Sequence, residues 1–447
     1  MEHYLEKSTF VKSSRFGMHY FPDSLHYRLD DLQFWLPELK ALGVSWLILQ
    51  GEEKRAIPEE FILGLFQENI EPIIHFHLSL INPLSPKQIE PMLNVYAKWG
   101  VRYVIFFDRP NSRTAWGASS WSQGNLVERF VDQFFPLAEC AIRNGLTPVF
   151  SPLEPGGPYW DTVFLRQALE IMQDRDLNGT LDRLALSAYG WSSGKSLNWG
   201  LGGPDCWPQT RPYRIPSGSE DQRGFRIFDW YQAISNAVLQ KSSPIILLQT
   251  GLLSDPLEDK ALTNTGAGMK EIVQELLCLL DGENVYESTQ QNDHLESIPE
   301  EVLCCNFWFL SSEENSVFTQ YRWYSETQQK SPLAQAILDY RKGQVFINDD
   351  QDSLIEEKKI IDKPSFPLPR YLLLPSKDYV FNQAQRESIR KYITRYQPEI
   401  GISLEHASQA AVVTIIDNDE YYSEVELESL SQHGCLVQKL SPALNAI

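Results

Sequence analysis

Cysteine and histidine are scarce, at 6 and 8 of 447 residues. The cysteines, at positions 140, 206, 278, 304, 305 and 435, include no C-x-x-C pair, which argues against a zinc ribbon or a small disulfide framework and suits a reducing compartment. Positive charge is also short: 39 Lys and Arg stand against 59 Asp and Glu, a formal charge of −20. Such an excess of acid repels phosphate backbones and anionic lipid surfaces, so neither nucleic acid nor membrane is expected as a partner. No segment approaches the ~18 apolar residues of a membrane span, and the opening stretch MEHYLEKSTFVKSSRFG has no apolar core of a secretory leader. The expectation is a soluble, cytoplasmic chain.

What is present is material for a large core, with 43% hydrophobic and 12% aromatic residues. Short apolar runs alternate with amphipathic stretches in the order that builds parallel α/β architecture. Eight strands are predicted: RFGMHYF (15–21), VSWLILQ (44–50), EPIIHFHL (71–78), VRYVIFFD (101–108), LTPVFSP (146–152), RLALSAYG (183–190), PIILLQTG (244–251) and VLCCNFWFL (302–310). Eight βα units in series predict a (β/α)₈ TIM barrel over 1–345. The Gly-, Pro- and Trp-rich stretch 191–224 reads as a long loop shaping the site, and GENVYESTQQNDHLESIPEE before strand eight reads as plain surface. An acidic, Pro-terminated linker is expected at 346–366 and a small three-layer α/β domain at 367–447. That domain has no Gly-rich phosphate loop, and no cofactor is expected.

A TIM barrel gathers its chemistry at the C-terminal ends of its strands. Those ends carry His19 and Tyr20; Gln50 with Glu52 and Glu53; His75 and His77; Asp108, Arg109 and Asn111; Glu154; Tyr189 and Trp191; Gln249 and Thr250; Asn306 and Trp308. Rings interleaved with amides and carboxylates suit sugars, whose C–H faces stack on aromatics while their hydroxyls take hydrogen bonds. Trp116, Trp191, Trp199 and Trp207 lie in loops, as sugar platforms or as loop anchors, whereas Trp46 and Trp99 read as core. His75 and His77 share one face of their strand, but a third metal ligand is missing, so sugar binding or core packing is expected rather than a metal site. Asp161 reads as a helix N-terminal acid complementing the dipole.

The order of PLEPGGPYWDTVFL, RLALSAYGW, FRIFDWYQAI and NFWFL, with DRPN after strand four, resembles the clan A glycoside hydrolases and an uncharacterised bacterial branch of that clan. The likeness covers roughly 14–345. It implies an oligosaccharide ligand, with Tyr189, Trp308, Pro110 and Asn111 matching and His19, His75, His77, Trp116 and Trp191 as further binding residues. It also implies that the acid/base glutamate position falls on Arg109 and the nucleophile position on Gln249 or Thr250. Hydrolysis normally needs two carboxyl groups, ~5–5.5 or ~6.5–9.5 Å apart, and a guanidinium has no proton to give at working pH.

The expectation is therefore a carbohydrate-binding protein with hydrolysis weakened or lost. The alternatives are a working O-glycosyl hydrolase with relocated carboxylates, Glu154 with Glu52 or Glu53, and a scaffold that meets a protein partner through its C-terminal domain. Arg109 is expected either to clamp an anionic sugar or, as burial favours, to pair internally with Glu154 or Glu52. Asp108 is expected to point away from the site by strand alternation. The stretch from Gly401 to Leu440 faintly resembles clostridial-type cell-wall-binding repeats, which implies wall binding, with packing or docking as the alternative.

Overall fold

The computed structural model describes residues 14–176, 178–192, 194–250, 273, 275–280, 295–341, 368–375, 381–382, 385–386, 389–390, 392–393, 398–416, 422–423, 426–427, 429–430, 433 and 435–440. Two compact units are resolved, 1–348 and 349–447. The expected linker 346–366 lies outside the described residues.

The first unit is a parallel eight-stranded (β/α)₈ barrel. Its strands are β1 (Phe16–His19), β2 (Trp46–Gln50), β3 (Glu71–His75), β4 (Tyr103–Ile105), β5 (Thr147–Val149), β6 (Leu186–Tyr189), β7 (Ile245–Leu248) and β8 (Val302–Phe309). Each falls inside a predicted run. The pairing order β5-β4-β3-β2-β1-β8-β7-β6 leaves one seam, which a parallel bridge between Val149 and Ala185 closes, reinforced by Phe150 N–H to Ala185 O at 2.8 Å.

The helices form where local chemistry starts and stops them. In α1 (Leu29–Leu42), Asp30 and Asp31 occupy the first turn, Leu32, Trp35, Leu39 and Leu42 face the sheet, and Gly43 ends the helix at φ 75°. The helix α2 (Leu126–Arg143) buries an almost continuous apolar stripe from Leu126 to Ile142. Two cores result: an outer one between sheet and helices, and an inner one of Trp46, Ile48, Ile73, Ile105, Val149, Ile246, Leu248 and Trp308. The stretch before strand eight is not plain surface: Leu295 and Ile298 are buried, and Arg226 donates to the carbonyls of Glu296 and Ser297. Residues 282–294 of that stretch lie outside the described residues.

The second unit holds a four-stranded parallel sheet, β9 (Leu368–Leu373), β10 (Glu399–Gly401), β11 (Ala410–Ile416) and β12 (Leu436–Leu440), in the order β10-β9-β11-β12. Tyr371, Leu373, Ala410, Val413 and Ile415 form its core. The short strand β10 escapes sequence reading because it is three residues long and only partly apolar. No helix among the described residues is long and apolar enough to cross a membrane.

Candidate functional site

Strand alternation fills the barrel axis from below and leaves a layer of polar groups on top. On β2, Trp46 and Ile48 face inward and Gln50 comes next; on β3, Ile73 is followed by His75; on β8, Cys304 is followed four residues later by Trp308. Together with His19, His77, Asp108, Arg109, Tyr189 and Gln249 they line a cavity of ≈ 320 Å³ at the C-terminal mouth, walled on its apolar side by Phe21, Leu248, Phe309 and Phe318.

Three of its residues adopt a left-handed backbone: His77 at φ 48°, Arg109 at 44° and Gln249 at 49°. Each directly follows the end of a barrel strand or lies a few residues beyond it. A non-glycine side chain there costs on the order of 1 kcal/mol or more, and such residues gather at binding and catalytic sites.

Asp108 corrects the expectation that it points away. The strand pairing of β4 ends at Ile105, and Phe106 and Phe107 then both turn to the outer core, against Phe134 and Phe130. Two consecutive outward residues shift the alternation by one and deliver Asp108 to the cavity. There it accepts a short hydrogen bond from Tyr189 Oη and a bond from Arg109 Nε at 3.1 Å. The internal ion pairing expected of Arg109 thus includes its own chain neighbour.

The imidazoles of His75 and His77 stack at 3.8 Å between centroids, and His75 Nε2 lies 3.2 Å from Phe107 O. Burial holds His19 and His75 neutral. His19 is pushed down to about 3 by burial and then by His77. His75 is also lowered, chiefly by burial, whereas His77 is exposed at the rim. Burial alone would lift Asp108, but Arg109, His77 and His75 outweigh it and hold the carboxyl below its ordinary value. Trp191, stacked on Tyr189 at 4.8 Å, donates to Gln249 Oε1 at 3.1 Å and so props the cavity from behind.

No family model and no curated protein matches the sequence. Solved glycoside hydrolases do resemble the chain in path. One is a family 39 glycoside hydrolase from the gut symbiont Bacteroides cellulosilyticus, at 10% identity and TM-score 0.46, covering 72% of this chain and 62% of that one. This chain therefore spans less than two thirds of that protein's length. Others are a Penicillium canescens endo-1,4-β-xylanase, at 9% identity, TM-score 0.43, with 74% and 95% covered, and a monomeric β-xylosidase from Caulobacter crescentus, at 9%, 0.45, with 73% and 67% covered. At such values no residue role carries over, and the barrel rests on its own strand pairing.

The remaining expected site residues stand elsewhere. Asn111, expected to bind substrate, is a buried strut: its amide bonds Glu154 N, Glu154 O and Tyr159 O at 2.8–2.9 Å. Trp116 is buried, donates to Pro110 O at 2.7 Å and lies under the Arg129 guanidinium, so it anchors its loop. Glu154 is buried and does not line the cavity. Glu52 lies in an adjoining pocket, accepting from Ser24 and Arg55, while Glu53 is exposed. Thr250 is buried beside Gly190. The loop 191–224 does not line the cavity either; Asp221 gathers Lys195, Arg223 and Trp199 within it. Among the described residues no three His, Cys, Asp or Glu side chains converge as a metal site.

Proposed function

We propose that the barrel mouth binds a carbohydrate and that hydrolysis by the ordinary two-carboxylate route is weakened or lost. The observation that carries this reading is the charge inventory of the cavity: among the described residues Asp108 is the sole carboxylate lining it, and that carboxylate is tied to Arg109. Two opposed carboxyls are the usual requirement for glycoside cleavage. What surrounds Asp108 is suited to holding a sugar, with rings at Trp308, Tyr189 and Phe309 and hydrogen-bonding groups at Gln50, Gln249, His19, His75 and His77. His19 Nε2, His75 Nδ1 and Trp308 Nε1 are buried without a partner among the described residues, and sugar hydroxyls are groups that can satisfy them.

The test is mass-spectrometric product analysis after long incubation with a panel of neutral and acidic oligosaccharides, paired with calorimetric binding. The expected outcome is binding without cleavage by folded protein, with affinity lowered at least about tenfold in Trp308→Phe, which keeps the ring contact and removes the donor. Cleavage that disappears in Glu154→Gln would instead support relocated carboxylates. Absence of both binding and cleavage would favour the scaffold reading.

A further inference from the structure

Beside the cavity lies a second pocket of ≈ 370 Å³, and the two share Gln50, the last residue of β2. Cross-loop bonds build this pocket. Arg55 donates to Ser24 O at 2.8 Å and to Glu52 Oε1 at 2.9 Å, Ser24 Oγ bonds the same carboxylate, and Tyr27 Oη donates to Gln50 O at 3.0 Å. The segments after β1 and after β2 are thereby fixed against each other around a defined space.

Its charge runs against that of the chain. Two guanidiniums, Arg28 and Arg55, line it against one carboxylate, Glu52, in a protein of net charge −20. The Glu52 charge is spent on Arg55. The Arg28 guanidinium makes no hydrogen bond to any described residue, and the acids nearby are turned to other partners: Asp23 holds His26 and Leu25 N–H, and Asp31 accepts from Arg28 N–H. One positive charge of the lining is thus left over, on the exposed Arg28, whose planar fork can match a carboxylate in two parallel bonds. In the first cavity Arg109 already has Asp108 beside it.

We infer that the second pocket is an anion-binding subsite, and that the ligand is an acidic oligosaccharide whose uronate carboxylate meets Arg28 and Arg55 while a neighbouring ring occupies the cavity across Gln50. This rests on the carbohydrate reading of the cavity and adds the class of sugar. The test is calorimetry on the full chain with matched probes: neutral di- and trisaccharides, and the same sugars with the terminal C6 oxidised to a uronate. The uronate member is expected to bind roughly tenfold tighter at low salt, with the preference shrinking as salt rises and collapsing to about twofold or less in Arg28→Gln. Equal affinity for both members, or a preference that survives Arg28→Gln, overturns the anionic subsite and leaves the carbohydrate cavity standing. Binding of neither member overturns both.

Discussion

Gln249 sits at the end of β7 with φ 49°, its carbonyl oxygen fixed by Trp191 Nε1. Glycine would relieve that backbone, whereas alanine would keep the strain and lose the amide. Gln249→Gly is therefore expected to be more stable than Gln249→Ala by about 1 kcal/mol in chemical denaturation, with ligand affinity reduced in both. Asp108 and Arg109 are coupled through a partly buried pair, so a double-mutant cycle of Asp108→Asn and Arg109→Gln should show a non-additivity of roughly 0.5–3 kcal/mol in unfolding free energy. Additive effects would mean that the pair is not felt. Asp161 starts its helix, Asp161–Arg175, as expected, but it is fully buried, accepts from Gly156 N–H, Gln222 and Tyr231, and has its pKa lifted to about 6 by burial.

At the scale of elements, the barrel's closure depends on close approach at β1. A Cβ on Gly17 would stand 2.2 Å from Asn306 Oδ1 and 2.7 Å from Trp46 Cβ, on the two strands that flank β1. Gly17→Ala should lower the unfolding midpoint by the equivalent of about 1–3 kcal/mol or more, while Gly124→Ala, with no atom within 4 Å of its Cβ, should stay within roughly 0.5 kcal/mol of the native chain. The strand ends show how alternation both serves and misleads. It places Gln50, His75 and Trp308 in one layer, yet at β4 the paired aromatics Phe106 and Phe107 both seek the outer core and carry Asp108 round to the mouth.

For the whole molecule, the buried groups set a direction for acid sensitivity. Below the ordinary histidine value of 6.5 the unfolded chain takes up protons that buried His19 and His75 refuse in the fold, so their contribution to stability is lost as pH falls. Asp161 acts oppositely: its proton is held in the fold up to about 6 and released by the unfolded chain near 3.8, so that contribution is lost as pH rises through this window. Two buried histidines outweigh one carboxyl. The urea midpoint should therefore fall from pH 7 to pH 5 at unchanged slope, and fall less in His75→Gln; an equal fall in both would remove His75 from the account.

The sequence by itself determined the α/β class, the eight strands and the arrival of histidines, amides and a tryptophan at their C-terminal ends, because apolar periodicity and strand parity are local properties of the chain. Only the tertiary structure decided which of those ends meet. Asn111 and Trp116 follow strand four as Asp108 does and carry hydrogen-bonding groups, yet loop packing buries Trp116 as an anchor and Asn111 as a strut while Asp108 turns into the cavity. The pocket shared across Gln50 was equally out of reach, because it is made by two segments apart in sequence that are joined by the bonds of Arg55 and Glu52 with Ser24 and of Tyr27 with Gln50. Contact across the fold, rather than pattern along the chain, chose the site.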